Sequence, residues 1–465
     1  MKTETIAAIA TSLTESGISI IRISGEDACS IADKVFVAKN GKKVSEFQSH
    51  TIHYGHIMED DKVMDEVMVS FMKGPFSYTA EDVVEINCHG GVFITKKILT
   101  HVLQNGARFA APGEFTKRAF LNGRIDLSKA EAIMDVIQAD NEFALSLSMK
   151  QLKGALFEKI KELREKLIYE VAFIESALDD PEHISLDGYE EELNNKLKPI
   201  YDELCHLADT AENGRIIKQG INTVIVGKPN AGKSSFLNLL LGEERAIVTD
   251  IAGTTRDALE EYIKLDEVSL HVIDTAGIRD TKDVVEKIGV TKAVKYAEDA
   301  DLILYVVDTS VALDENDYEI MKMTAGKKVI VLLNKSDLEP VLSFENVENF
   351  LIQNNHNKED IRFLTISAKN KEGYSEFSQL VKEMFFQGEI SIKDEIMITN
   401  MRQKECIMQA QESVRLVMEG IENSMPEDFL TIDLMNGYEA LGRIIGEEIG
   451  EDLVNEIFSK FCTGK

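Results

Sequence analysis

Gly227-Lys228-Pro229-Asn230-Ala231-Gly232-Lys233-Ser234-Ser235 follows the apolar, β-branched run Thr223-Val224-Ile225-Val226 and precedes Phe236-Leu237-Asn238-Leu239-Leu240, which reads as a helix. Strand, glycine-bracketed loop and helix in that order predict a phosphate loop. Glycine permits the tight turn, the backbone N–H groups from Asn230 to Ser235 converge on phosphate oxygens, and the helix dipole adds positive potential. Lys233 is placed to reach the β- and γ-phosphates, and Ser234 to put its hydroxyl on Mg²⁺. A chance glycine turn would not bring all three elements in register, so the chain is read as binding a nucleoside triphosphate.

Downstream, apolar runs at Ser269–Ile273, Leu302–Val307, Val329–Leu333 and Arg362–Ile366 alternate with helical patterns. That alternation predicts a mostly parallel, doubly wound α/β sheet whose ligand lies at the carboxyl ends of the strands. Asp274-Thr275-Ala276-Gly277 ends one strand, bringing a carboxylate near Mg²⁺, through water, and a glycine N–H near the γ-phosphate. Thr254-Thr255 lies in the glycine-containing loop Thr249-Asp250-Ile251-Ala252-Gly253-Thr254-Thr255, where the Thr255 hydroxyl can coordinate Mg²⁺ only while γ-phosphate is present. Such a loop is a switch. Asn334-Lys335-Ser336-Asp337 and Ser367-Ala368-Lys369 close the next two strands. In guanine recognition Asp337 accepts from N1–H and the 2-amino group, Lys335 lies along the ring, and the Ala368 N–H meets O6. Adenine lacks those donors, so the five motifs together predict GTP.

The flanks read differently. Up to about residue 120, strand-like runs (Thr5–Ala10, Ile18–Ile23, Val67–Phe71, Val83–Asn87) mix with helical stretches, predicting an α+β domain without a recognisable catalytic constellation. Cys88 and His89 are adjacent and point different ways, so they read as packing. Ser128-Lys129-Ala130-Glu131 fits a capping box, and an apolar stripe from Leu152 to Leu178 at intervals of three or four residues predicts a core-facing helix that ends before Pro181. Met397–Met418 and Leu430–Phe461 are helical again. Helices on both sides of a nucleotide domain predict that it is inserted into a helical domain whose halves pair in space. The expected boundaries are 1–120, 121–219, 220–386 and 387–465: a multidomain α/β plus α chain.

Composition narrows the rest. At 465 residues the chain exceeds one core, and no apolar run approaches a membrane span. With no basic region leading into a signal-peptide core, a cytosolic, membrane-free chain is expected. Five scattered cysteines suggest neither a disulfide framework nor a zinc site. A formal net charge of −30 gives no support for tight RNA binding by this chain alone. A local basic patch, or a partner supplying most of the RNA contact, stays open.

The nucleotide motifs, with Thr249 through Asp257, resemble those of translation-factor-like bacterial GTPases. Arg22-Ile23-Ser24-Gly25, Glu81-Asp82-Val83-Val84-Glu85, Pro112-Gly113-Glu114-Phe115, Ala119-Phe120-Leu121-Asn122-Gly123 and Ile457 through Lys465 resemble, over essentially the whole chain, the MnmE/TrmE family of GTPases that modify the tRNA wobble uridine. The resemblance implies an aminomethyl or carboxymethylaminomethyl group added at C5 of uridine 34. It also implies a flavin-containing partner in a heterotetramer, tRNA held within that complex, and a homodimer formed by the N-terminal domain. A 5-formyltetrahydrofolate or related reduced folate would be contacted by Arg22, Glu85, Arg124 and Lys465. Arg124 departs from the lysine often found there, keeping charge but not shape. Thr463 replaces the usual apolar residue of the Cys-x-Gly-Lys ending, and Ser12 through Ser16 replaces a Pro- and Gly-rich loop.

Ile278 follows Gly277 where many small GTPases carry a water-orienting glutamine, and an aliphatic side chain cannot orient water. The resemblance assigns that role to Glu286, which by itself reads as an exposed charge on a helix beginning near Val284. It also implies K⁺ held by Asn230, Thr249, Ile251 and Thr254, where an arginine finger would otherwise act. The competing reading is a GTPase switch in ribosome assembly without modification chemistry, which would be expected to carry an RNA-binding appendage in place of the Cys462 to Lys465 motif.

Overall fold

A computed structural model describes residues 4–243, 260–265, 268–274, 296–342, 344–353, 357–386, 396–447, 449–462 and 464. The chain divides into two compact units, one of Met1–Met134, Gln151–Lys198 and Gln409–Lys465, the other of Asp135–Lys150 and Pro199–Met408.

The first unit is built on a seven-stranded sheet in the order β3-β4-β5-β6-β2-β1-β7. Its strands are β1 (Ile6–Ile9), β2 (Ser16–Ser24), β3 (Phe36–Ala38), β4 (Thr51–Glu59), β5 (Lys62–Met72), β6 (Val83–Gly90) and β7 (Arg108–Phe109). Alternation decides which side is covered. Ile21 and Ile23 of β2, Val67 and Val69 of β5, and Val84 and Ile86 of β6 join one core with Ile31 of helix α1 (Ala28–Val35) and Ile98 of α2 (Val92–Gln104). Elsewhere in the sheet Ile52, Tyr54 and Met68 are exposed by 66%, 43% and 45%, the last two paired across β4 and β5.

Helices α3 (Glu114–Leu121), α4 (Leu127–Gln138), α5 (Glu142–Leu152), α6 (Ala155–Asp179) and α7 (Tyr189–Gln219) follow. The stripe expected from Leu152 to Leu178 is interrupted: Leu152 ends α5, and Gly154, at φ +94°, turns the chain into α6. From Leu156 to Ile174 the stripe is buried as expected, whereas Leu178 is exposed. The expected capping box at Ser128 is likewise displaced. Asp126 is the acceptor, taking bonds from the Lys129 N–H (3.0 Å) and the Ser128 hydroxyl (2.5 Å), because Ser128 already lies inside the first turn and is fully buried.

Pairing of the flanking helices is direct. Arg164 of α6 donates to the Tyr438 carbonyl (3.2 Å) and lies 4.0 Å from the Tyr438 ring centroid, on the helix Glu427–Ile445. Leu127, Ala130 and Met134 pack with Val454 and Phe458 of the helix Glu451–Ser459. The segment read as one helical stretch from Leu430 to Phe461 is two helices parted at Gly446, φ +95°.

The second unit holds a six-stranded sheet in the order β13-β12-β11-β8-β10-β9. These are β8 (Ile221–Val226), β9 (Glu260–Leu265), β10 (Val268–Asp274), β11 (Leu302–Asp308), β12 (Lys328–Asn334) and β13 (Ile361–Thr365). All neighbours run parallel except β9 against β10. Successive residues of β8 enter different cores: Ile225 packs with Phe236 and Phe377, whereas Val224 and Val226 pack with Tyr305 and Val331. Both faces are thus covered, as a doubly wound sheet requires. Order reverses at β8, which lies between β10 and β11, so the crevice at its carboxyl end is the expected ligand position.

Candidate functional site

The loop from Gly227 to Gly232 leaves β8 at that switch point and enters α8 (Lys233–Glu243). Its turn is built from left-handed backbone: Asn230 at φ +62° and Gly232 at φ +104°. At Gly232 the amide nitrogen of Asn334 lies 2.0 Å from where a Cβ would stand, so both backbone and space exclude a side chain. The Lys233 ammonium donates to the carbonyls of Gly227 (2.6 Å) and Lys228 (2.9 Å), and so curls back over its own loop. Ser234 is half-buried in the first turn of α8, and Asn230 is exposed at the loop tip.

Lys228, which the motif leaves unspecified, ties the loop to the sheet's flank. Its ammonium meets Asp317 at 2.6 Å and Asp314 at 3.0 Å, and Asp317 also accepts from the Tyr305 hydroxyl at 2.8 Å. Burial pulls the Lys228 ammonium's pKa down, but the two carboxylates outweigh it and hold the group above its ordinary range.

Three of the expected motifs converge. The Asn334 side chain, buried, donates to the Ala231 carbonyl (2.8 Å) and accepts from the Ala368 N–H (3.1 Å). It thus joins the phosphate loop to the loop after β13. Losing such buried bonds costs about 1–3 kcal/mol each. Asp337 accepts from the Ser367 hydroxyl at 3.0 Å, and Lys369 stands 3.8 Å from its other oxygen. Lys335, at φ +66°, pairs with Asp308 at 2.5 Å. Asp308 was not singled out by sequence. Its only signal was its place at the end of the apolar strand Leu302–Val307.

Asp274 ends β10 opposite Ile225, on the strand next to the phosphate loop. Thr249 through Thr255, Thr275, Ala276, Gly277, Ile278, Glu286, Thr463 and Lys465 lie outside the described residues, as does the side chain of Asp274. Among the described residues no group of three or more His, Cys, Asp or Glu could hold a metal ion. The hydroxyl and amide oxygens of Ser234 and Asn230 are of the hard-donor type that Mg²⁺ and K⁺ prefer.

In the first unit Arg22, Glu85 and Arg124 of the set implied by the resemblance stand near one another, while Lys465 lies outside the described residues. Arg22 of β2 donates to Glu85 of β6 at 2.8 Å, the two being register partners, and to the Gly464 carbonyl at 3.1 Å. Tyr78, which no sequence motif marks, stands near both cations: its ring centroid is 5.0 Å from the Arg22 guanidinium and 4.9 Å from that of Arg124. Its hydroxyl is fixed by Thr116 at 2.8 Å. Gly113, at φ +66°, would meet the Phe458 carbonyl with any Cβ, so the segment before Gly464 lies closely against α3. Cys462 is exposed, and its carbonyl accepts from the Gly113 N–H at 3.3 Å. His89 pairs with Asp65 at 2.6 Å while Cys88 is buried, so these neighbours do diverge.

Residues 127–462 match a family model described as MnmE helical domain, and residues 5–124 one described as GTP-binding protein TrmE N-terminus. The chain is 56% identical, over the full length of both, to the tRNA modification GTPase MnmE of Lachnoclostridium phytofermentans. It is 46% identical, over 99% of both chains, to proteins of the same description from Clostridioides difficile and Thermoanaerobacter pseudethanolicus.

Proposed function

The chain belongs to the MnmE/TrmE family of tRNA modification GTPases; it is a GTP hydrolase acting in wobble-uridine modification, and from that premise we propose how its residues divide the work. GTP occupies the crevice at the carboxyl ends of β8, β12 and β13, with Lys233 leaving its own loop's carbonyls for the β- and γ-phosphates. Asp337 reads the guanine edge, and Asn334 holds Ala231 and Ala368 at the spacing the nucleotide spans. That bridge, 2.8 and 3.1 Å, is the observation on which the assignment rests.

Ser234 and Thr255 hold Mg²⁺, and Asn230, Thr249, Ile251 and Thr254 hold K⁺. Bound there, the two cations offset charge on the transferring phosphoryl group. Glu286 orients the attacking water, a task Ile278 cannot perform. Arg22, Glu85, Arg124 and Lys465 hold a reduced folate. The fit is chemical: a carboxylate acceptor for the pterin, cations for the glutamate and the Tyr78 ring stand together.

The domains run 1–120 for dimerisation and folate, 121–219 and 387–465 for the two helical halves, and 220–386 for GTP hydrolysis. The exposed apolar residues Ile52, Tyr54 and Met68 favour self-association of the N-terminal sheet. A flavin-containing partner joins the homodimer in a heterotetramer that holds tRNA, in the cytoplasm. Among the described residues no helix is long and apolar enough to cross a membrane.

Mass spectrometry of tRNA nucleosides from cells lacking this chain tests the reading. Loss of aminomethyl and carboxymethylaminomethyl groups at uridine 34 is expected; unchanged wobble uridines would overturn it.

A further inference from the structure

Asp308 stands at the edge of the base-recognition loop and has no counterpart among the sequence motifs. It ends β11 directly opposite Asn334 in the β11–β12 register, which brings it beside Lys335 although 27 residues separate the two. Both of its oxygens are used. One meets the Lys335 ammonium at 2.5 Å, and the other accepts from the Ser310 N–H (3.0 Å) and hydroxyl (2.6 Å). Thr309, the next residue, donates its N–H and hydroxyl to the Asn334 carbonyl at 3.1 and 2.9 Å. Its own carbonyl accepts from the N–H groups of Val341 and Leu342 at 2.7 and 3.1 Å. Residues 308–310 therefore form a brace fastened to the segment that carries Asn334, Lys335 and Asp337.

We infer that Asp308 is a positioning residue of the guanine site, acting through Lys335. A lysine stem left to itself samples many rotamers, and a nucleotide would have to order it on arrival. Asp308 does this beforehand. It fixes the far end of the side chain while the left-handed backbone at Lys335 fixes the near end, so the stem meets the base already placed. The Asp308 carboxylate is 11% exposed, and its bonds to Lys335 and Ser310 outweigh the effect of burial, holding its pKa below the ordinary carboxylate value.

The inference rests on the reading of this crevice as the guanine-nucleotide site. The test is dissociation of N-methylanthraniloyl-GDP from the full chain in four forms: unaltered, Asp308→Asn, Lys335→Met and both together. Asp308→Asn is expected to speed release on the order of tenfold, the scale of losing one charge-assisted hydrogen bond. In the Lys335→Met background the same change is expected to add little, since two residues acting as one unit are not additive. A purely structural Asp308 would instead speed release equally in both backgrounds, and that result, or unaltered release from Asp308→Asn, overturns the inference. Should Asp308→Asn fail to fold, Ser310→Ala serves in its place: a smaller acceleration that vanishes with Lys335→Met supports the assignment, and no acceleration overturns it. No binding of the probe to the unaltered chain would sink the reading of the site itself, an outcome distinct from normal binding with an indifferent Asp308.

Discussion

At Asp337 a single atom decides which base is accepted. Its carboxylate is positioned by the Ser367 hydroxyl at 3.0 Å and attended by Lys369 at 3.8 Å, which leaves the acceptor character of the group intact. Asp337→Asn puts a donor where guanine presents two donors. GTP binding is therefore expected to weaken by roughly 1.5–3 kcal/mol, with preference moving toward xanthine nucleotides. Competition between GTP and XTP measures this, and undiminished selectivity for GTP would remove Asp337 from the site. The residue scale is also where reading from sequence succeeds and fails most visibly. Asn334, Lys335, Asp337 and Ala368 were legible because each belongs to a short pattern with its own chemistry. Asp308, Asp317 and Tyr78 were not, because their roles arise from strand register or from packing between distant segments, and neither leaves a local pattern.

Helix α3 shows how an element's end is made to carry charge. Glu114, its first residue, accepts from Arg108 (2.6 and 3.1 Å), from the Ala111 N–H (2.8 Å) and from Arg118 (3.0 Å). Burial pushes the carboxyl's pKa up, yet these donors prevail and hold it below its ordinary value. A depressed carboxyl stabilises the fold above its unfolded pKa of about 4.3, and that contribution fades as pH falls through the lower folded value. Glu114→Gln is expected to cost roughly 1.5–3 kcal/mol near pH 7, with the gap to the unaltered chain closing below about pH 4. Denaturant melts across that range check it; a gap constant with pH would show that charge at Glu114 contributes nothing. Elements were legible where hydrophobic period was strong. The five parallel strands of the nucleotide sheet were found within a residue or two; in β8, β11 and β12 burial on both faces makes the run almost continuously apolar. By contrast β9, Glu-Glu-Tyr-Ile-Lys-Leu, is an edge strand with half its residues charged, and β4 carries His53 and His56, so neither registered as a strand. A single glycine parts α5 from α6, although the apolar stripe that begins at Leu152, the last residue of α5, continues through α6.

For the molecule as a whole, hydrolysis should depend on which monovalent cation is present. Potassium is expected to accelerate GTP hydrolysis strongly over sodium, by a factor comparable with the roughly 10³–10⁵ an arginine finger supplies. Glu286→Ala should abolish most of that rate with nucleotide affinity nearly intact. If two nucleotide domains of a homodimer must meet to complete the site, the rate per chain should also rise with pairing. Single-turnover measurements in matched potassium and sodium buffers decide this: equal rates remove the potassium role, and a normal rate for Glu286→Ala returns that residue to a solvated charge. One contact in the first unit bears on when a chain becomes competent at all. Arg22 and Gly464 are 442 positions apart, yet share a 3.1 Å hydrogen bond beside Glu85 and Tyr78. At about 5–20 residues per second, a ribosome needs roughly 20 to 90 s to travel from one to the other. Through that interval the N-terminal sheet can fold around Arg22 and Glu85, but the Gly464 carbonyl does not yet exist. The cluster is begun 442 positions before it can be finished, so a nascent chain cannot assemble it ahead of the nucleotide-binding sheet made in between.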